Sequence, residues 1–181
     1  LLVTYRLARP EPLLTTGHIL GFDEVPLHNS DARHQRAVEL AHRSVGNQPL
    51  SVSRTATRID VDTRDLHCSF DVRTGLPVSL VHRGSEFLDR PAELNIWRAP
   101  TDNDRHIRLE WERAHYHQAA ARAYAVDVSE EPGHVTISAE VAVVAPTVQP
   151  VLRGHLTWTI TDSDVLSLNL RLQRTLEFPS L

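Results

Sequence analysis

Short runs in which apolar and polar residues alternate recur along most of the chain, and they predict β-strands. Turn residues separate the later runs, as at Arg73-Thr74-Gly75, where glycine adopts a positive φ without steric cost. The short spacing between neighbouring runs indicates antiparallel hairpins. The sequence therefore predicts an all-β chain of antiparallel β-sandwich pieces, with strands at residues 2–7, 17–22, 59–62, 66–72, 78–82, 123–129, 135–144, 152–160 and 165–172.

Two segments depart from this alternation and predict at most one or two short helices. Residues 105–123 have helical content, with Ile107 and Trp111 among their apolar positions. Residues 31–43 have weaker helical spacing, with Ser30 as a possible N-cap and Gly46 as a possible stop. The composition changes after this polar stretch. We therefore predict a domain boundary near residue 54, which divides the chain into residues 1–54 and 55–181.

Composition excludes several classes of function. A hydrophobic content of 41% supports a packed core. A net charge of -4 with scattered arginines argues against nucleic acid as a partner. No stretch approaches the roughly 18–20 consecutive apolar residues of a membrane-spanning helix, so no membrane partner is expected. The single cysteine, Cys68, excludes an internal disulfide and a multi-cysteine zinc site, and we interpret it as a small buried hydrophobe.

The segment from Asn95 to Asp104 has the densest candidate chemistry. Pro100 lacks a backbone donor and ends the preceding extended stretch. Aspartate and asparagine at 102–104 can bond to their own backbone and turn the chain. The Arg98 side chain could then reach either Asp102 or Asp104 in a bidentate pair. The pattern leaves three alternatives open, which are a cation site, a site for sugar hydroxyls and a structural network.

Other eye-catching residues have ordinary explanations. His115 and His117 could begin a metal site, but no third ligand stands at a convincing spacing, so packing histidines are favoured and no metal is predicted. The 102–104 loop lacks the glycine and the distal glutamate of an EF-hand. The three tryptophans could stack on sugar rings, but a core position is commoner in such strands, most clearly for Trp158.

The run Trp97-Arg98-Ala99-Pro100-Thr101-Asp102-Asn103-Asp104 closely resembles the motif that opens the last large β domain of β-galactosidases in glycoside hydrolase family two. Further segments are similar to that family at residues 15–24, 73–80 and 111–115, where His115 replaces the family's glycine. The resemblance implies that residues 1–54 are the end of the fourth, immunoglobulin-like domain plus a linker. Residues 55–181 would be the first half of the fifth, large β-sandwich domain. Together with the lack of methionine, this predicts an interior fragment.

The resemblance also implies a function for the parent protein. The parent would be a retaining β-galactosidase that hydrolyses terminal β-D-galactose residues of lactose-type substrates. Its catalytic glutamates would lie in a central barrel outside this sequence, so no catalytic residue is expected here and the isolated chain should be inactive. The parent would be cytoplasmic and homo-oligomeric, and it would need magnesium and sodium held by ligands outside this chain. Its partners would be the β-galactoside and the rest of the parent chain.

The predicted contribution of this chain is scaffold and one wall of the sugar pocket. A loop at 84–91 corresponds to a mobile loop of the family or is an ordinary hairpin connection. A stand-alone carbohydrate-binding β-sandwich and a purely structural module remain alternative functions. The predicted wall and loop residues are Gly84, Arg90, Trp97, Arg98, Asp102, Asn103 and Asp104.

Overall fold

The computed structural model describes residues 1–25, 35, 36, 39, 49–146 and 150–175. The chain divides into two compact units, Leu1–Leu40 and Ala41–Leu181. The first unit contains an antiparallel pair of strands, β1 (Leu2–Arg6) and β2 (Ile19–Glu24). The alternating pattern therefore predicted both strands correctly.

The second unit contains two antiparallel sheets, in agreement with the predicted all-β class. A five-stranded sheet has the strands in chain order, β3 (Ser51–Arg54), β4 (Arg58–Asp62), β5 (Leu66–Asp71), β6 (Leu76–His82) and β7 (Ser85–Glu86). A four-stranded sheet has the order β11-β10-β9-β8, with strands β8 (Ala120–Glu131), β9 (His134–Val144), β10 (Leu152–Thr161) and β11 (Leu166–Arg174). The sequence pattern missed β3 and β7.

Strand β3 lies before the predicted boundary at residue 54, but it pairs with β4, which lies after that boundary. It pairs with β4 from Ser51 opposite Asp62 to Arg54 opposite Ile59, so a boundary after residue 54 would separate two paired strands. The two compact units instead divide after residue 40. The assignment of the two parts to named domains stays a prediction. Of the helix predicted at 31–43, residues 35, 36 and 39 are helical, and the rest, with Ser30 and Gly46, lies outside the described residues.

Helical structure interrupts the strands between β7 and β8. Helix α1 (Ile107–Arg113) is preceded by a 3₁₀ turn at Asp102–Asp104 and followed by another at Tyr116–Gln118. The prediction of helix to residue 123 was too long, because β8 begins at Ala120 and pairs with β9. Sheet pairing there overrides the helix propensity of alanine. None of the described helices is long and apolar enough to cross a membrane.

The two sheets of the second unit share one apolar core. In β9 the alternate residues from Val135 to Val141 point into it, and from the other sheet Ile59, Val61, Cys68 and Phe70 do the same. The thiol of Cys68 is completely buried, and burial raises its pKa to about 12. The prediction of a small buried hydrophobe at this position is confirmed. Trp158 is also a core residue, as the sequence suggested.

A smaller apolar cluster supports the helical region. It joins α1 and the 3₁₀ turn after it to one end of the four-stranded sheet. The buried members are Trp111, Ala114, Tyr116, Val143, Val151 and Leu152. Partly buried residues that precede α1 pack against this cluster, including Ile96 and Trp97. The start of the motif segment therefore packs against this cluster.

Candidate functional site

The motif segment reaches the helical region as an extended chain. Its start is fixed to β6 by a hydrogen bond of 2.8 Å from the Ala92 amide to the Pro77 carbonyl. The Asn95 carboxamide oxygen then accepts the Trp97 amide at 2.8 Å, a local turn that is typical of asparagine. Thr101 is the N-cap of the 3₁₀ turn at 102–104, and its carbonyl oxygen accepts the Asp104 amide at 3.0 Å. These local hydrogen bonds therefore fix the backbone path of residues 95–104.

Arg98 and Asp104 form a bidentate ion pair. The two guanidinium nitrogens donate to Asp104 Oδ2 at 2.6 Å and to Oδ1 at 2.8 Å. Oδ2 also accepts the Thr101 amide at 2.7 Å and the Thr101 hydroxyl at 2.8 Å. The donors from Arg98 first, and then those from Thr101, hold the pKa of the Asp104 carboxyl well below its usual range. Of the two partners that the spacing allowed for Arg98, the structure selects Asp104, and Asp102 is exposed.

Aromatic side chains surround this ion pair. The Arg98 guanidinium carbon lies 5.5 Å from the ring centroid of Trp111, a cation–π distance. The ring of Trp97 meets Trp111 edge to face at 6.2 Å, and it meets His117 at 5.6 Å. Arg98 is therefore held from two directions, by a carboxylate and by an indole. The aromatic rings and the charged pair together form one connected structure.

A cavity of about 550 Å³ opens beside these residues. Its volume is within the range of roughly 300–1,000 Å³ that small-molecule sites have. The lining combines two indoles and two isoleucines with an amide, a guanidinium and a carboxylate. The lining residues are Asn95, Ile96, Trp97, Arg98, Asp104, Ile107 and Trp111. Apolar ring faces next to a few fixed polar groups suit a ligand with both apolar and hydroxyl-bearing surfaces.

Three of the predicted wall residues, Trp97, Arg98 and Asp104, line this cavity. The structure does not bring Asp102 and Asn103 to the cavity; their side chains are exposed on the 3₁₀ turn, outside its lining. Gly84 and Arg90 do not line it either. Sequence reasoning missed Asn95, Ile96 and Ile107 as lining residues and considered Trp111 only as a stacking or core residue. The position of Asn95, directly before the motif tryptophan, was the available signal.

The 84–91 segment starts as a tight hairpin turn between β6 and β7. Arg83 and Gly84 both have positive φ, 50° and 78°, as the central residues of a two-residue hairpin turn do. The Glu86 carboxylate accepts the amides of Leu80 and Leu88 at 2.8 and 2.9 Å. A hydrogen bond from the Ser79 hydroxyl, followed by such amide bonds, lowers the pKa of Glu86 to about 2. This geometry matches the hairpin alternative.

The Asp104 carboxylate of the 102–104 loop is already used by other partners. Both Asp104 oxygens are already occupied by hydrogen-bond donors, and the adjacent Arg98 would repel a second positive charge. His115 and His117 have ring centroids 6.0 Å apart. Within the described parts of the chain, no group of three or more His, Cys, Asp or Glu side chains is placed to hold a metal ion. Of the three alternatives for the motif, the structural network has direct geometric support.

Comparison with known proteins places the same region in a family. Residues 62–181 match the family model described as the β-galactosidase small chain. Over 177 residues, 98% of this chain, the sequence is 28% identical to a β-galactosidase of Actinobacillus pleuropneumoniae and covers 17% of that protein. It is 34% identical over 87 residues to a β-galactosidase of Staphylococcus xylosus, 48% of this chain and 9% of that protein. A β-galactosidase of Lactobacillus delbrueckii subsp. bulgaricus is 36% identical over 85 residues, 47% of this chain and 8% of that protein. The chain thus spans 17% or less of the length of these relatives.

Proposed function

Because the chain belongs to the β-galactosidase small-chain family, we propose that it forms part of a β-galactosidase and supplies scaffold and one wall of the sugar pocket. The parent enzyme hydrolyses terminal β-D-galactose residues of lactose-type substrates with retention of configuration. Its other partners are the remainder of the parent chain, with its barrel domain, and further copies in a homo-oligomer. The observation that carries this proposal is the cavity between Trp97, Arg98 and Trp111, which the motif lines in part and which is large enough for a sugar ring.

The lining suits a carbohydrate in its chemistry as well as in its size. A pyranose has C–H faces that pack on indole rings and hydroxyls that bond to amides and guanidinium groups. The Asn95 side chain and the solvent-facing edge of Arg98 supply those polar groups, and Trp97 and Trp111 supply the rings. The ion pair with Asp104 fixes the Arg98 side chain. A pre-organised site of this kind spends little binding energy on ordering its own groups.

Asp104 is unsuited to the hydrolysis itself. Retaining glycosidases use a pair of carboxyl groups roughly 5 Å apart, one of them protonated before the reaction. Asp104 cannot be that acid, because Arg98 and Thr101 hold its pKa well below the usual range. Its oxygens are also turned toward four donors rather than toward a substrate. We propose that the reacting carboxylates lie in the barrel of the parent, and that the ligands of its magnesium and sodium lie outside this chain.

A binding and turnover experiment tests this proposal. The purified chain is titrated with lactose while the tryptophan indole N–H signals are followed by NMR. We expect shifts at Trp97 and Trp111, their loss in Trp97→Ala, and unchanged shifts in Phe87→Ala, which removes an exposed aromatic ring outside the cavity. The chain should not hydrolyse a chromogenic β-galactoside. Turnover by a sample free of host enzyme, or lactose shifts that avoid the cavity, would contradict the proposed division of roles.

A further inference from the structure

The outer face of the four-stranded sheet contains an exposed tyrosine between two arginines. The guanidinium carbon of Arg122 in β8 lies 5.4 Å from the ring centroid of Tyr124, and that of Arg153 in β10 lies 5.8 Å from it. Both distances are within the range of cation–π attraction. The Tyr124 residue remains 49% exposed. The arrangement lies outside the cavity described above.

A β-bulge places the tyrosine there. The register of β8 against β9 shifts between Ala123 and Ala125, so Tyr124 is an extra residue in its strand. The Ala123 amide donates to the carbonyl of Arg73 at 2.7 Å, in the β5–β6 turn of the other sheet. This bond ties the bulge to the sandwich. Bulges commonly re-aim a side chain, and here the re-aimed side chain meets both arginines.

The two arginines belong to one row across three strands. Arg122 pairs with Ala142 of β9, and Ala142 pairs with Arg153 of β10. Ala142 alternates with the core residues Val141 and Val143, so it is on the outer face, yet it is completely buried. The side chains around it therefore cover the middle of the row. This packing against the sheet therefore restricts the positions of both guanidinium groups.

The charge of this row is not neutralised from within the described part of the chain. Arg122 and Arg153 have no carboxylate within ion-pair distance there, and neither has Arg171 of β11. Arg171 pairs with His155, two residues along β10 from Arg153, and so adds a third cation to the same face. Glu140 opposite His155 is the nearest carboxylate by register, and it forms no ion pair with them. A surplus of fixed positive charge remains on a chain whose net charge is -4.

We propose that this outer face, defined by Arg122, Tyr124, Arg153 and Arg171, docks an acidic polypeptide segment. Strands are roughly 4.8 Å apart, so the outer arginines of the row are separated by about 10 Å at the backbone. Alternate side chains of an extended peptide repeat at about 6.6–7 Å, so two or three carboxylates can meet these cations. Arginine holds carboxylates in a bidentate fork, and stacking on Tyr124 pre-organises it. The net negative charge of the chain disfavours a long nucleic acid, which needs an extended basic surface.

The test uses the whole chain and a peptide in which glutamate alternates with threonine. We expect amide shifts in NMR at the Arg122–Arg153 row and binding that weakens as salt is added. The double variant Arg122→Gln/Arg153→Gln should weaken binding about tenfold, a typical effect of losing charge-assisted hydrogen bonds. Tyr124→Leu should weaken it without any change of charge, and Tyr124→Phe should retain it. The matched control is Arg64→Gln/Arg105→Gln, which removes two exposed arginines elsewhere and should bind like the unmodified chain.

Three results would overturn the proposal. Equal weakening in the control double variant would show an effect of net charge alone. Equal binding of a peptide with glutamine in place of glutamate would show that carboxylates are not recognised. Tighter binding of a short oligonucleotide at the same residues would indicate that the partner is a nucleic acid and not a polypeptide. Thermal melting of each variant confirms that it is folded, and the Tyr124→Phe and Tyr124→Leu pair tests the stacking without removing an arginine.

Discussion

The indole N–H of Trp158 donates a hydrogen bond of 2.9 Å to the carbonyl oxygen of Gly75 inside the core. This bond connects β10 of one sheet to the β5–β6 turn of the other. Gly75 has a φ of +70°, and a Cβ added there would lie 2.9 Å from the Cβ of Ala139. The turn therefore approaches the facing sheet so closely that only glycine fits. The packing of the β5–β6 hairpin against the four-stranded sheet depends on this close contact at Gly75.

Gly75→Ala is expected to destabilise the chain by roughly 2–5 kcal/mol, because the left-handed backbone penalty adds to overpacking in the core. The measurement is the free energy of unfolding in urea. The matched control is Gly84→Ala, where φ is also positive but no atom of the described part of the chain lies within 4 Å of the added Cβ. That variant should lose only about 1–2 kcal/mol. Equal losses in the two variants would show that the close contact with Ala139 has no energetic weight.

Much of the fold was predictable because the two inner faces obey simple alternation. In β9 the buried residues from Val135 to Val141 occur at every second position, which predicts a strand with one face in the core. Strand β3 was missed because its four residues, Ser51–Arg54, include two serines and one arginine, and only its pairing with β4 makes it a strand. The alanines at 120 and 121 favoured a helix locally, and tertiary pairing decided otherwise.

The candidate site was predictable in chemistry but not in geometry. The spacing indicated that Arg98 could reach a carboxylate in the 102–104 loop. It could not choose between Asp102 and Asp104, because that choice depends on the Thr101 cap and on the 3₁₀ turn that follows. The cation–π contact with Trp111 was also beyond the sequence, since it depends on how α1 folds back on the motif segment. The sequence therefore indicated which types of residue could interact, but not which residues form the contacts.

Arg98→Ala and Asp104→Ala are both expected to lower the thermal unfolding midpoint. Each removes one side of a bidentate pair in which the Asp104 side chain is 12% exposed and the Arg98 side chain is 58% exposed. The double variant should lose less than the sum of the single losses, because both singles break the same interaction. Asp102→Ala is the control and should melt like the unmodified chain, since Asp102 is exposed and outside the pair. Additive losses, or a drop in Asp102→Ala as large as in Asp104→Ala, would contradict a structural pair at Asp104.

Stability should fall in acid partly because of Glu86. The Ser79 hydroxyl and nearby amides lower the pKa of this carboxyl from 4.5 to about 2 in the folded chain. The unfolded chain therefore binds a proton first, so the stabilisation is complete above about pH 4.5 and is lost as the pH falls toward 2. Glu86→Gln should show a shallower loss of unfolding free energy over that interval. Glu93→Gln, which removes an exposed carboxyl outside this network, is the comparison. Identical acid slopes in Glu86→Gln and the unmodified chain would rule out the Glu86 contribution.

His115 occupies a position that is better suited to glycine. It follows the last turn of α1 with φ 56° and ψ 32°, the left-handed conformation in which helices commonly end. An L-residue with a side chain pays roughly 1–2 kcal/mol for that conformation, and glycine does not. The Nδ1 atom of His115 is also buried, and it has no hydrogen-bond partner among the residues that the structure describes. Both features make this histidine a local cost to stability.

His115→Gly is therefore expected to stabilise the chain, with urea unfolding as the measurement. The informative comparison is His115→Ala, which also removes the imidazole and its unpaired nitrogen but keeps the Cβ and its left-handed strain. Glycine should exceed alanine in unfolding free energy by roughly 1–2 kcal/mol. If the imidazole contributes packing next to His117, whose ring centroid is 6.0 Å away, alanine will fall below histidine while glycine keeps its lead over alanine. Alanine and glycine of equal stability would mean that the left-handed turn at 115 is not maintained in solution.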